Sequence, residues 1–132
     1  MADLLNVSEA TSLALHGLAL IAKNQATRMN IKVLAERLNA SQSHMAKVFQ
    51  KLSKACLVKS VRGPAGGFEL RKDATEITFL EIFETIEGKV NMTQCPFGKK
   101  HCIAKMCILN VELNRISTDI YETYKKIKLS DF

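Results

Sequence analysis

The stretch that most narrows the possible folds is residues 57–71. Leu57-Val-Lys-Ser-Val-Arg62 has the β-branched, mixed apolar and polar character of a strand. Gly63-Pro-Ala-Gly-Gly67 holds three glycines and a proline in five positions, and Phe68-Glu-Leu-Arg71 alternates as a second strand. Two such runs around a Gly/Pro cluster predict a β-hairpin with a glycine-rich tip. A glycine-rich loop can also cradle nucleotide phosphates. This one lies between strands, lacks a Gly-Lys-Ser/Thr ending and opens no helix, which excludes the mononucleotide reading.

What precedes the hairpin gives it meaning. Asn30 is placed to cap a short helix over about 31–38, with Val33, Leu34 and Leu38 on one face. Asn39-Ala40 breaks it. Ser41 then caps a second helix over about 42–54, whose apolar face is Met45, Val48, Phe49 and Leu52. Two short helices joined by a tight turn form a helix-turn-helix pattern, and a hairpin directly after the second makes it a winged helix. A further helix is expected upstream over 8–23, where Leu13, Ala14, Gly17, Leu18, Ile21 and Ala22 recur at helical spacing behind Asn6 or Ser8. Residues 24–29 read as a polar loop.

Charge is concentrated on the same segment. Residues 23–72 contain eleven Lys/Arg and two acids, a net of +9, while the whole chain of 132 residues carries +6. The remainder is therefore acidic by three charges. A solvated surface mixes its signs, so a segment this one-sided suits a polyanion whose condensed counterions Lys and Arg can displace.

Downstream, Thr78-Phe-Leu-Glu81 has the form of a capping box that opens a helix through Ile82, Phe83 and Ile86 and stops at Gly88. Glu81, Glu84 and Glu87 repeat every three residues, which suggests a solvated face. Near the end, Leu109, Leu113, Ile116, Ile120, Tyr124 and Ile127 form an apolar stripe along a helix of about 20 residues. A long terminal helix of this kind on a small domain is expected to pair with a second copy of the chain.

Between these helices lie three of the four cysteines, Cys95, Cys102 and Cys107, spaced C-x6-C-x4-C. Clustered thiols in a reducing compartment bind metal or do redox work more often than they form structural disulfides. Structural zinc sites usually begin with two to four intervening residues, and neither spacing here fits. Iron–sulfur clusters accept varied spacing. Lys99, Lys100 and Lys105 stand beside the thiols and can offset an anionic cluster. Cluster, zinc and thiol switch all remain open from the chemistry alone. Candidate fourth ligands are His16, Glu9, His101, Asn110 and Glu112. Cys56, before apolar Leu57 and Val58, is expected to be buried as a small hydrophobe.

Catalysis finds no support. No Ser or Cys has a base at a recognisable spacing, and His16, His44 and His101 are scattered. His44 falls in the second helix of the pair, where nucleic-acid contact accounts for it better than acid–base work.

The run Ser43-His-Met-Ala-Lys-Val-Phe-Gln-Lys-Leu-Ser-Lys, the wing Val61-Arg-Gly-Pro-Ala-Gly-Gly-Phe68 and the three cysteines before a long helix together resemble the IscR/NsrR family of bacterial winged-helix regulators. The resemblance covers nearly the whole chain. It implies a homodimer that binds an operator in double-stranded DNA, with an iron–sulfur cluster of two or four irons held at Cys95, Cys102 and Cys107. Some members carry no cluster and respond through thiols or a partner protein. By position it places Ser41, Gln42, Ser43 and Lys47 in the major groove, with Arg62 and Gly63 taking the wing to the minor groove. Phosphates would be met by Lys47, Lys51, Lys54 and Lys59. The chain departs from one branch by having Ala46 in place of a recognition-helix glutamate and Asn110 in place of a His. It departs from another by having Ser12 in place of a first-helix aspartate, with His16 one turn further on.

The expected architecture is mainly α with a small β-hairpin: a winged helix-turn-helix over 1–90, a cysteine-rich loop over 91–107 and a dimerisation helix over 108–132. The expected function is a cluster-controlled transcription regulator. The alternatives are a cluster-free thiol or zinc regulator of the same fold and, from another class, a small iron–sulfur electron-transfer protein. The longest uncharged apolar run, within 10–22, is too short to span a bilayer, and no signal-like leader opens the chain. A cytoplasmic, non-enzymatic protein with no membrane partner is therefore expected.

Overall fold

The computed structural model describes residues 5–92, 102, 103, 105, 107, 109 and 112–132. Among these the chain forms α1 (Glu9–Lys23), α2 (Ile31–Arg37), α3 (Gln42–Lys54), β1 (Val58–Val61), β2 (Gly67–Leu70), α4 (Phe79–Glu87) and α5 (Glu112–Lys126), then a 3₁₀ turn, Leu129–Asp131. The expected winged helix is present.

Short polar side chains set where the helices begin. Ser8, Asn30, Ser41 and Thr78 each accept a bond from the backbone N–H three residues on, satisfying one of the donors a helix start leaves unpaired. The capping box at Thr78 forms in one direction. Glu81 N–H donates to the Thr78 hydroxyl at 3.0 Å, while the Glu81 carboxylate accepts from the Lys72 ammonium instead of turning back to the cap.

One core lies under α1–α4 and the hairpin. Leu13, Leu18 and Ile21 of α1, Leu34 of α2, Met45, Val48, Phe49 and Leu52 of α3, Leu57 and Val58, and Ile82 and Ile86 of α4 are all buried. Helices α1 and α3 approach closely at Gly17, where a Cβ would lie 2.9 Å from the Phe49 ring. Phe49 in turn meets Phe68 of β2 with ring centroids 4.7 Å apart, which fastens the hairpin to α3.

The hairpin pairs antiparallel, with Val58 opposite Leu70 and Lys59 opposite Glu69. Residues 24–29 are more than a polar loop. Met29 is buried, and its carbonyl accepts from the Phe68 N–H at 2.9 Å, an isolated antiparallel bridge along the free edge of β2. Gly67 makes this possible: its φ is +151°, and a Cβ there would stand 2.6 Å from the Met29 backbone.

Helix α5 packs on α4 through aromatic rings. Tyr124 meets Phe79 edge-on at 4.5 Å and Phe83 at 5.5 Å. Beyond α5 the chain returns to the winged-helix core. Phe79 N–H donates to the Ile127 carbonyl at 2.9 Å, Leu129 N–H donates to Ile77 at 2.8 Å, and the Leu129 side chain is buried. The last residues therefore belong to the same core as the helix-turn-helix.

Two expectations are corrected. Cys56 is exposed, not buried. It follows the cap of α3 with φ +60°, a left-handed turn that aims its side chain outward while Leu57 and Val58 take the buried positions. The glutamates of α4 are also not an idle solvated row. Glu81 pairs with Lys72, Glu84 with Lys89 and the Val90 N–H, and Glu87 with the hydroxyls of Ser8 and Thr11.

Candidate nucleic-acid interface

Successive residues of an α-helix are about 100° apart. With Met45, Val48, Phe49 and Leu52 facing the core, Ser43, Lys47, Gln50 and Lys54 fall on the opposite line, and all four are exposed. Gln42 and Ser43 lie in the exposed first turn, where the N-terminal dipole and unpaired N–H groups favour an anion. Ser41 is occupied by capping, its hydroxyl accepting from the His44 N–H at 3.1 Å and lying 3.4 Å from the Ser43 hydroxyl.

Gln50 was not among the residues read from the sequence. Its signal was available: the spacing 43, 47, 50, 54 repeats every three or four residues. A Gln side chain on such a ridge can pair with both exposed atoms of an adenine edge.

Two other members of the predicted set point elsewhere. His44 and Lys51 lie one above the other on the flank, about 70–90° from the outward line. His44 Nδ1 stands 4.0 Å from a carboxylate oxygen of Glu9 on α1. Lys51 Nζ donates to the Ile86 carbonyl in the last turn of α4 at 2.9 Å.

At the wing, Arg62 and Gly63 are both exposed at the tip. On its outer face Glu69 accepts from Lys59 at 2.6 Å and from Arg28 at 3.1 Å. The Lys59 ammonium, and after it the Arg28 guanidinium, hold the Glu69 carboxyl below its ordinary range. Glu84 is likewise held low, chiefly by Lys89 and then by the Val90 N–H.

Of the cysteine set, Cys102 is exposed and Cys107 half-buried, both as free thiols, while Cys95 lies outside the described residues. Among the candidate fourth ligands, His101 and Asn110 also lie outside them. Glu9 is exposed beside His44, and Glu112 pairs with Arg115 at 3.0 Å. His16 is exposed on α1, with Nδ1 2.7 Å from the Ser12 carbonyl. Because a carbonyl only accepts, Nδ1 donates in this contact, which leaves Nε2 as the ring nitrogen not used by it. Cysteine thiolates and a histidine imidazole are donor types that suit a soft metal centre. No group of three or more metal-ligating side chains converges among the described residues.

No helix among the described residues is long and apolar enough to cross a membrane. The helix expected over about 20 residues is described over Glu112–Lys126, and of its apolar stripe Leu113 and Ile116 are exposed at 37% and 44%, as is Leu109 before it at 42%.

Comparison with known proteins agrees with this geometry. The chain is 31% identical over 130 residues to the transcriptional regulator NsrR of Oceanobacillus iheyensis, covering 96% of this chain and 88% of that one. It is 41% identical over 69 residues to IscR of Photorhabdus laumondii, a match spanning 52% of this chain and 42% of the relative. Among solved structures it is similar to CymR of B. subtilis, described as the global cysteine regulator. There the TM-score is 0.78 at 25% identity, with 97% of this chain and 95% of that chain covered. Residues 7–132 match the Rrf2 family, described as an iron-dependent transcriptional regulator, and the chain belongs to this family of DNA-binding, non-enzymatic regulators.

Proposed function

We propose that the protein is a cytoplasmic, homodimeric repressor or activator whose operator affinity is set by an iron–sulfur cluster at Cys95, Cys102 and Cys107. The observation that carries the DNA half of this reading is the exposed line Ser43, Lys47, Gln50 and Lys54 on α3, beside the exposed wing tip at Arg62 and Gly63. Base edges are met by Gln42, Ser43, Lys47 and Gln50, and phosphates by Lys47, Lys54 and Arg62. The net +9 of residues 23–72 supplies the salt-dependent attraction.

The free thiols of Cys102 and Cys107 and the sequence likeness to NsrR and IscR support the cluster half. When bound, a cluster supplies iron and sulfide that react with oxidants and nitric oxide. His16 is the favoured fourth ligand because its Nδ1–H is already bonded to Ser12. It would come from the partner's first helix if α5 pairs two copies through Leu113 and Ile116. The chain's own part is to hold the cysteine segment between α4 and α5, so that its order bears on how the two recognition helices are spaced.

A second reading, a cluster-free thiol regulator, is favoured by the exposure of Cys102 and the structural likeness to CymR. Iron, sulfide and zinc analysis with a visible spectrum, on full chain purified without oxygen, separates the two. Stoichiometric iron and sulfide, with an operator affinity that changes when they are removed, are expected. Colourless protein with no stoichiometric iron overturns the cluster and leaves the thiol reading.

A further inference from the structure

The basic residues of α3 do not all serve one surface. Lys47 and Lys54 stand on the outward line, whereas Lys51 is turned onto the flank and its ammonium donates to the Ile86 carbonyl at 2.9 Å. That carbonyl belongs to the last turn of α4, where unpaired carbonyls and the negative end of the helix dipole favour a cation. One residue on, Glu87 accepts from Ser8 and Thr11 at the start of α1. The Lys51 charge also adds to the forces that hold the Glu87 carboxyl low, after the Ser8 and Thr11 bonds. Closer to the start of α3 and on the same flank, His44 faces Glu9 of α1. Two hydrogen-bonded contacts thus meet at the end of α4, from α3 through Lys51 and to α1 through Glu87.

We infer that Lys51 is a positioning residue, a brace that fixes the pitch of α3 against the end of α4, and not a phosphate contact. A phosphate contact adds affinity to every duplex alike and steepens the salt dependence. A brace instead sets whether Ser43, Lys47 and Gln50 reach base edges together, so its loss weakens the selected sequence more than a random one. The inference rests on reading α3 as the DNA-facing helix.

The test measures binding of full-length protein to two duplexes of equal length across a salt series. One is selected by the wild-type protein from a random pool, and the other is of random sequence. Lys51→Met is expected to keep the wild-type salt slope while the ratio of selected to random affinity falls about tenfold, the scale of one lost base contact. Lys51→Arg keeps a donor for Ile86 and is expected to hold the ratio near wild type, which guards against a Met variant that folds poorly. Lys47→Met serves as comparator and is expected to flatten the slope by about one unit. A slope reduced by about one in Lys51→Met, or a ratio it leaves unchanged, overturns the brace. Failure of the α3 reading would register separately, as a Lys47→Met slope equal to wild type.

Discussion

Glu87, the last residue of α4, accepts a hydrogen bond from the hydroxyl of Ser8, the residue that caps α1 at the other end of the winged-helix unit. Thr11, fully buried, donates to the same carboxylate oxygen. These bonds favour the ionised acid and hold its pKa below the ordinary 4.5. An acid with a depressed folded value contributes stability above its unfolded value and loses it as pH falls through the folded one. Glu87→Gln should therefore lower stability near neutral pH by about 1 kcal/mol at most, given solvent screening. Thermal unfolding of both proteins across pH should show that gap closing below pH 4.5.

The wing depends on a backbone that only glycine adopts without strain. Gly67→Ala places a methyl 2.6 Å from the Met29 backbone at φ +151°. A loss of about 1–3 kcal/mol is expected, read from urea unfolding. Operator affinity should fall with it, because Met29 and Phe68 can no longer hold the hairpin against α3.

Leu129 tests whether the end of the described chain belongs to the core. It is 1% exposed and its N–H is bonded to Ile77. Leu129→Ala should cost about 2–5 kcal/mol, as for other fully buried leucines. A single unfolding transition shifted as a whole is the expected trace. Two separate transitions would show instead that the C-terminal turn is an independent unit.

The uncovered end of the α5 stripe tests self-association. Ile116→Glu combined with Leu113→Glu puts two charges onto the proposed dimer face, where burial without a partner is costly. Sedimentation velocity should then report a monomer with wild-type helix content, since both side chains are exposed in the single chain. A variant that still sediments as a dimer would move the interface elsewhere.

Local chemistry made most of the fold legible. Asn30, Ser41 and Thr78 announce helix starts because each carries a short acceptor three residues before an N–H that needs one. The wing was readable because Gly66 and Gly67 have few other uses between two strands. Non-local pairings were not readable. Nothing in Met29 or Leu129 announces that one will bond to β2 and the other fill a gap beside Ile77. Cys56 was misjudged because its neighbours are apolar, whereas its own exposure follows from a left-handed turn that residue type does not reveal. At the interface the outward line of α3 was present in the spacing. Charge drew Lys51 into the DNA-facing set, and its helical phase placed it on the flank.

The stretch between Val90 and Glu112 leaves and rejoins one body. Val90 is bonded to Glu84 of α4, and the chain runs back to α4 through Tyr124 of α5 and Ile127 just after it. It is thus an insertion in a closed frame, not a tail. For a flexible connection between two fixed ends, doubling the length adds only about 0.6 kcal/mol to the entropy of closure. The frame is accordingly a socket: segments of other lengths and other ligand sets could be grafted between the same two helices, which makes this scaffold a starting point for regulators that answer to a different chemical signal.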